Sequence, residues 1–165
     1  MADPSLIHPD RLTEAGHVFE GVATPGDFPE LDDRVASGEG EVRWRVEACV
    51  DARQRRVVSC IIEGFVFLEC QSTQEVFRHE VASHDRLVLV GSESELPPFE
   101  VEDDQEDFVV ATTPLDPLAL VEESLLLALP MVPRKPGAGP GAPAPAAGEA
   151  KPSPFAALAS LKSNR

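Results

Sequence analysis

Between Glu41 and Asp51 apolar and charged side chains alternate, and this pattern constrains the fold more than any other feature of the chain. The apolar positions are Val42, Trp44, Val46, Ala48 and Val50, and charged residues stand at most of the positions between them. A period of two is typical of an antiparallel strand that buries one face and exposes the other. The sequence therefore predicts a β-sheet with one solvated face.

A second and longer strand follows a short connection at Ala52–Arg55. Val57–Cys70 is apolar enough to lie in the centre of the sheet. Gly64 within it predicts a bulge or a bend, because glycine offers no side chain to pack on a sheet. Further strands are predicted at Glu75–Ser83, Leu87–Val90, Phe99–Glu102 and Phe108–Thr112.

One amphipathic helix is predicted after the strands. Asp116 is a suitable N-cap, Pro117 suits the first helical position, and Pro130 ends the segment. Its apolar stripe comprises Leu118, Val121, Leu125 and Ala128/Leu129, whereas Glu122 and Glu123 are expected to face water.

The predicted fold class is α+β. We expect an antiparallel meander of about five to six strands, open or barrel-like, with the helix packed on it. Residues 1–40 look mixed and partly helical, with short helices expected near His8–Glu14 and Pro29–Ala36.

Composition divides the chain into three parts. Residues 1–133 are predicted to form the α+β core domain. Residues 134–152 are mostly Pro, Gly and Ala, so they are predicted to be a disordered linker. Residues 153–165 are predicted to form a short helical motif, with Ser153 as N-cap and Pro154 at the first position.

A short apolar helix at the end of a tether has little reason to exist unless it docks on something. We therefore predict partner-binding residues on its apolar stripe and its adjacent base: Phe155, Leu158, Leu161 and Lys162. Whether these residues dock on the protein's own sheet or on another molecule stays open.

The formal net charge is −15, from 29 acids against 14 lysines and arginines. Such a chain is repelled by phosphate and suits a basic partner protein, although acidity can also serve solubility alone. The segment 93–107 is either a solvated loop or an acidic surface for that partner, represented by Glu100, Glu102, Asp103 and Asp104.

The arginines near the hairpin are the one basic patch in the sequence. They are Arg43, Arg45, Arg53, Arg55 and Arg56. They could contact RNA phosphates at close range, or they could solubilise a sheet edge, which is the commoner use.

Signals for catalysis or metal binding are weak. Cys49, Cys60 and Cys70 are predicted to be reduced core thiols, and a zinc site that uses them with a histidine is the less favoured alternative. No phosphate-binding loop, nucleophile elbow or zinc-protease motif is present, so we expect neither cofactor nor metal. The start lacks a signal-peptide pattern and no apolar run suits a membrane span, so a cytoplasmic location is expected.

Two stretches, Asp116–Pro133 and Ser153–Lys162, resemble the signature stretches of the bacterial YceD family. His17–Gly21, Leu68–Cys70 and Phe77 are similar to it in the same order. Members of that family are described as large ribosomal RNA subunit accumulation proteins. Many carry Cys-x-x-Cys where this chain has Cys70 followed by Gln71, Ser72 and Thr73, which argues against an essential metal here.

The resemblance implies a ribosome biogenesis factor that supports synthesis, processing or accumulation of 23S rRNA, and it implies no catalytic residue. We expect a non-enzymatic interaction protein whose partner is a ribosomal or rRNA-processing protein. The alternative is a direct RNA-binding protein that uses the arginine patch. A nuclease that acts on precursor rRNA is a weaker third hypothesis.

Overall fold

The computed structural model describes residues 5–98 and 106–137. Within these ranges the elements, in chain order, are β1 (His17–Ala23), β2 (Gly40–Val50), β3 (Arg56–Glu69), β4 (Val76–Val90), β5 (Asp107–Val110) and α1 (Pro117–Ala128). Short 3-10 turns occur at Pro9–Arg11, Pro25–Asp27, Pro29–Leu31 and Glu93–Glu95. The predicted α+β class is confirmed.

The strands form one sheet in the order β1-β2-β3-β4-β5. The first four strands pair antiparallel as a meander, whereas β5 pairs parallel with β4. The barrel-like alternative is wrong, because β1 and β5 lie at opposite edges of the sheet and do not pair with each other. The short parallel β5 also departs from the predicted all-antiparallel meander.

The pairing of β2 with β3 continues without interruption along both strands, with Gly64 opposite Val42. The predicted bulge at Gly64 is therefore wrong. The glycine is needed for a different reason: a Cβ at this position would overlap the carbonyl oxygen of Glu41. Close backbone approach between the two central strands thus excludes any side chain there.

Strands β1 and β4 differ from the prediction. The segments Glu75–Ser83 and Leu87–Val90 belong to one strand, β4, which pairs with β3 from Val76 to Leu89. Long-range pairing carries the strand through the polar residues His84, Asp85 and Arg86. Strand β1 lies in the region predicted to be mixed and partly helical. Its outward positions include the exposed valines Val18 and Val22, so hydropathy does not alternate along it as burial does.

The hydrophobic core lies between one face of the sheet and α1. The alternation predicted for β2 is confirmed, since Val42, Val46 and Ala48 are fully buried. The β3 residues on the same face include Val58, Cys60, Ile62, Val66 and Leu68, all buried. Leu31, from the turn before β2, is also fully buried and closes the core beside the helix.

Helix α1 begins as predicted, with the Asp116 side chain accepting a hydrogen bond from the Leu118 backbone N–H. Val121 and Leu125 are fully buried, but Leu118 is 47% exposed, so its predicted place in the core is wrong. Ser124 is buried beside them instead. Glu122 is only partly exposed, because its side chain accepts a hydrogen bond from the Glu30 backbone N–H.

Candidate functional site: a hairpin ion-pair cluster and an apolar groove

Four charged side chains meet where the β2–β3 hairpin adjoins β4 and the start of β5. Arg55 contacts Asp51 at 2.8 Å and Glu106 at 2.8 Å. Arg86 contacts the same two carboxylates, at 2.9 Å to Glu106 and 3.4 Å to Asp51. We call these four residues the hairpin cluster. It joins the end of the acidic segment to the hairpin.

The hairpin cluster stays ionised over a wide range of pH. Hydrogen bonds from Arg55, and then from Arg86, lower the pKa of Glu106 to about 2. The pKa of Asp51 is also lowered, mainly by the backbone N–H of Arg55. The two carboxylates in turn raise the pKa of the Arg55 guanidinium. The charge of Arg55 is therefore balanced within the protein.

The open face of the sheet, opposite the helix, places the other predicted RNA-contacting arginines beside acids. Arg43 contacts Glu41 at 3.3 Å, and Arg45 contacts Glu20 at 3.1 Å. Arg53 and Arg56 are exposed at the hairpin, and the structure gives them no ion pair within the described ranges. A phosphate contact would therefore depend on these two residues rather than on a patch of five.

An apolar groove of about 530 Å³ opens between the β1–β2 edge of the sheet and the start of α1. Trp44, Ala23, Pro29 and Ala119 line it, together with the exposed Leu118. Gly21 makes room for the indole, since a Cβ there would lie 2.9 Å from Trp44 Cζ2. We call this feature the Trp44 groove.

Three carboxylates stand at the rim of the Trp44 groove: Asp27, Asp116 and Glu122. Each accepts a hydrogen bond from a backbone N–H, with donor–acceptor distances of 2.7 Å from Thr24, 2.9 Å from Leu118 and 2.8 Å from Glu30. These bonds fix the three side chains in place, and the Thr24 bonds lower the pKa of Asp27. The groove thus combines an apolar floor with fixed negative charge, a combination suited to an apolar segment that carries lysine or arginine.

The Cys70 thiol lies at the end of β3 and accepts a hydrogen bond from the backbone N–H of Lys135, at 3.3 Å. The Ser72 hydroxyl lies 3.2 Å from the sulfur. These contacts, with Thr73, lower the thiol pKa to about 6, the Lys135 N–H being the largest cause. The chain is fixed against the β3–β4 turn at two further points: the Gln71 N–H donates to the Pro133 carbonyl at 3.0 Å, and Lys135 pairs with Glu75 at 3.0 Å.

The three cysteines do not converge. Cys60 and Cys70 lie ten residues apart on and just after β3, which separates them by about 33 Å at the rise of an extended strand. Cys49 lies on the opposite face of the sheet from Cys60, since it pairs with Val57. This geometry contradicts a zinc site shared by the three. Over residues 5–98 and 106–137, no group of His, Cys, Asp or Glu is placed to hold a metal ion.

Several predicted site residues lie outside the described ranges. They are Phe155, Leu158, Leu161 and Lys162 of the terminal motif and Glu100, Glu102, Asp103 and Asp104 of the acidic surface. The predicted strand Phe99–Glu102 also lies outside them. The sequence does not predict the Trp44 groove. Leu118 lines this groove, but its place on the apolar stripe of the helix predicts a core position instead.

Fold and surface together define a small acidic α+β protein with an open sheet face and an acid-rimmed apolar groove. In the part of the chain that the structure describes, no helix has the length and apolar character needed to cross a membrane. No solved structure matches the chain.

This chain belongs to the YceD family. The family model described as Large ribosomal RNA subunit accumulation protein YceD matches residues 58–162, nearly two thirds of the sequence. The match begins two residues into β3 and includes β4, β5, α1 and both predicted signature stretches. It begins after β2, so the similarity at His17–Gly21 lies outside it. The family description connects this chain with rRNA of the large ribosomal subunit.

Proposed function

We propose that this protein is a non-enzymatic ribosome biogenesis factor that supports accumulation of 23S rRNA by binding a basic ribosomal or rRNA-processing protein in the cytoplasm. The observation that carries the proposal is the family match over residues 58–162. The net charge of −15 supports a basic protein as the partner, because it opposes direct attraction to phosphate.

The distribution of arginines also favours a protein partner over RNA. Arg43, Arg45 and Arg55 each face a carboxylate within 3.3 Å, so their field at longer range is reduced. The acidic residues Glu100, Glu102, Asp103 and Asp104 and the terminal residues Phe155, Leu158, Leu161 and Lys162 are the proposed contacts with the partner. The hairpin cluster supports this contact surface, because Arg55 holds the end of the acidic segment at Glu106.

The test is complementation in a host that lacks its own YceD-family protein. The full chain is expected to restore the ratio of large-subunit to small-subunit rRNA, and a chain without residues 153–165 is expected to restore it less. In parallel, affinity purification should recover a ribosomal or processing protein with the full chain and less of it with the shortened chain. Equal recovery by both chains contradicts the role of the terminal motif, and no effect of the full chain on rRNA contradicts the function.

Direct RNA binding is the second candidate, and the exposure of Arg53 and Arg56 is the observation that favours it. Charge reversal of both residues should then weaken RNA binding steeply at low salt. The matched control reverses Arg34 and Arg78, which are exposed and lie near Phe67, at the end of β3 far from the hairpin. If purified protein shows no RNA binding at low salt, this candidate fails.

A further inference from the structure

The Trp44 groove has the chemistry of a docking site for a basic apolar segment. Its floor is aromatic and aliphatic, and Leu118 is 47% exposed although it belongs to the apolar stripe of α1. Tryptophan is among the residues most often central to binding, because a large ring buried in a pocket contributes more than the rim contacts around it. The three rim carboxylates are held in place before any ligand arrives.

The chain itself contains a segment with the matching chemistry. Phe155, Leu158 and Leu161 recur at helical spacing, and Lys162 and Arg165 provide positive charge beside them. Charge is divided unevenly along the chain: residues 134–165 carry five lysines and arginines against one acid, whereas the rest carries nine against 28. The terminal part is therefore drawn electrostatically to the acidic body.

The length of the linker suits this contact. The contacts of Cys70 and Glu75 with Lys135 fix the chain at the end of β3. From Cys70 to Ala23, which lines the Trp44 groove, the sheet registers give six residues along the strands and two strand spacings across them, or about 22 Å. A flexible linker of the length of residues 136–152 has a root-mean-square reach of about 20–25 Å.

We propose that residues 153–165 dock in the Trp44 groove of the same molecule, with Phe155 and Leu158 on the apolar floor and Lys162 at the acidic rim. A weak affinity of the segment for the groove is enough to keep the groove occupied, since a short flexible linker gives an effective concentration in the millimolar range. A partner that binds residues 153–165 must then displace them from the groove. The docking does not depend on the proposed function; only this competition does.

The single tryptophan of the chain makes the test direct, because Trp44 reports on the groove alone. In the full chain, Phe155→Asp with Leu158→Asp is expected to increase quenching of Trp44 fluorescence by acrylamide and to shift its emission to longer wavelength. The matched control is Ala156→Asp with Ser160→Asp, which adds the same charge on the opposite side of the predicted helix. The control is expected to change both readings much less, because it alters the charge of the segment but leaves its apolar residues in place.

A second measurement approaches the contact from the groove. Leu118→Asp should remove hydrogen-exchange protection from the amides of residues 153–165, whereas Leu127→Asp should not, because Leu127 is 75% exposed and does not line the groove. Asp at position 118 lies in the first turn of α1, where a negative charge suits the helix dipole, so the fold should persist. Circular dichroism of both variants checks this.

Three outcomes overturn the proposal. One is an emission spectrum that neither pair of tail substitutions changes. Another is protection of Trp44 from acrylamide that increases with protein concentration, which indicates that the tail of a second copy occupies the groove. The last is protection that arises only when a purified partner is added. A failed complementation experiment with an intact Trp44 response contradicts the proposed function and leaves the docking standing.

Discussion

At the residue scale, hydrogen bonds set the chemistry of Cys70 apart from that of the other two cysteines. Ser72 and Thr73 follow Cys70, and both contribute to lowering the pKa of its thiol. Burial instead raises the pKa of Cys60 and of Cys49. The three thiols are therefore chemically different, although their spacing in the sequence made them look equivalent. Cys70 also links residue 135 to the sheet, so its role is structural at the point where the linker begins.

The hairpin cluster gives a prediction about stability and pH. The pKa of Glu106 is about 2 in the folded protein, below its ordinary value of 4.5. Its contribution to the free energy of unfolding is therefore complete above about pH 5, falls as the pH falls toward 2, and is lost below that. We expect the midpoint of thermal unfolding to fall across this range, and to fall less steeply in Glu106→Gln because the ionised partner is already absent.

Melting curves between pH 7 and 2, followed by circular dichroism, provide the measurement. Glu63→Gln is the matched control, since Glu63 is exposed on β3 and the structure gives it no ion pair among the described residues. The control should reproduce the pH dependence of the unmodified protein. Identical curves for Glu106→Gln and the unmodified protein contradict a stabilising role for the cluster.

At the scale of elements, α1 offers a matched pair of leucines two residues apart. Leu125 is fully buried against the sheet, whereas Leu127 is 75% exposed. Leu125→Ala should lower the free energy of unfolding by about 2–5 kcal/mol, because it removes buried methyl groups and leaves a cavity. Leu127→Ala should change it by about 0.5 kcal/mol or less. Urea titrations of both variants test the orientation of the helix, and comparable losses contradict it.

How far the sequence predicts these elements depends on how local their causes are. The alternation of β2 and the cap at Asp116 are local patterns, and the structure confirms both. Strand β4 crosses His84–Arg86 because β3 lies beside it over its whole length, and no local pattern contains that information. Gly64 is likewise explained by a residue on another strand, because the carbonyl of Glu41 leaves no room for a side chain at position 64.

The candidate site was harder to predict than the fold. An arginine is a free cation or half of an ion pair according to which residues the strands bring beside it, and Glu106 reaches Arg55 from 51 residues away. The Trp44 groove likewise depends on three separate parts of the chain: β1 with β2, the turns near Pro29, and the start of α1. Spacing within one segment cannot reveal a surface that three segments share.

At the scale of the whole molecule, the docking proposal constrains the length of the segment between the acidic body and the basic terminal part, but not its composition. If the docking proposal holds, replacing residues 136–152 by a Gly/Ser sequence of equal length should keep Trp44 protected from acrylamide. Shortening the linker to two residues should expose Trp44, because the five Cα–Cα steps from Lys135 to Phe155 then span at most about 18 Å, less than the distance of about 22 Å between anchor and groove.

Both linker variants keep residues 153–165 and the full set of groove residues, so a difference between them can only arise from reach. Equal protection in both contradicts docking within one molecule and points to a contact between molecules, which a change in oligomeric state would reveal. Complementation with the same two variants extends the test to function. If the terminal motif must reach a partner as well as the groove, the short linker should also reduce the recovery of large-subunit rRNA, and the Gly/Ser linker should not.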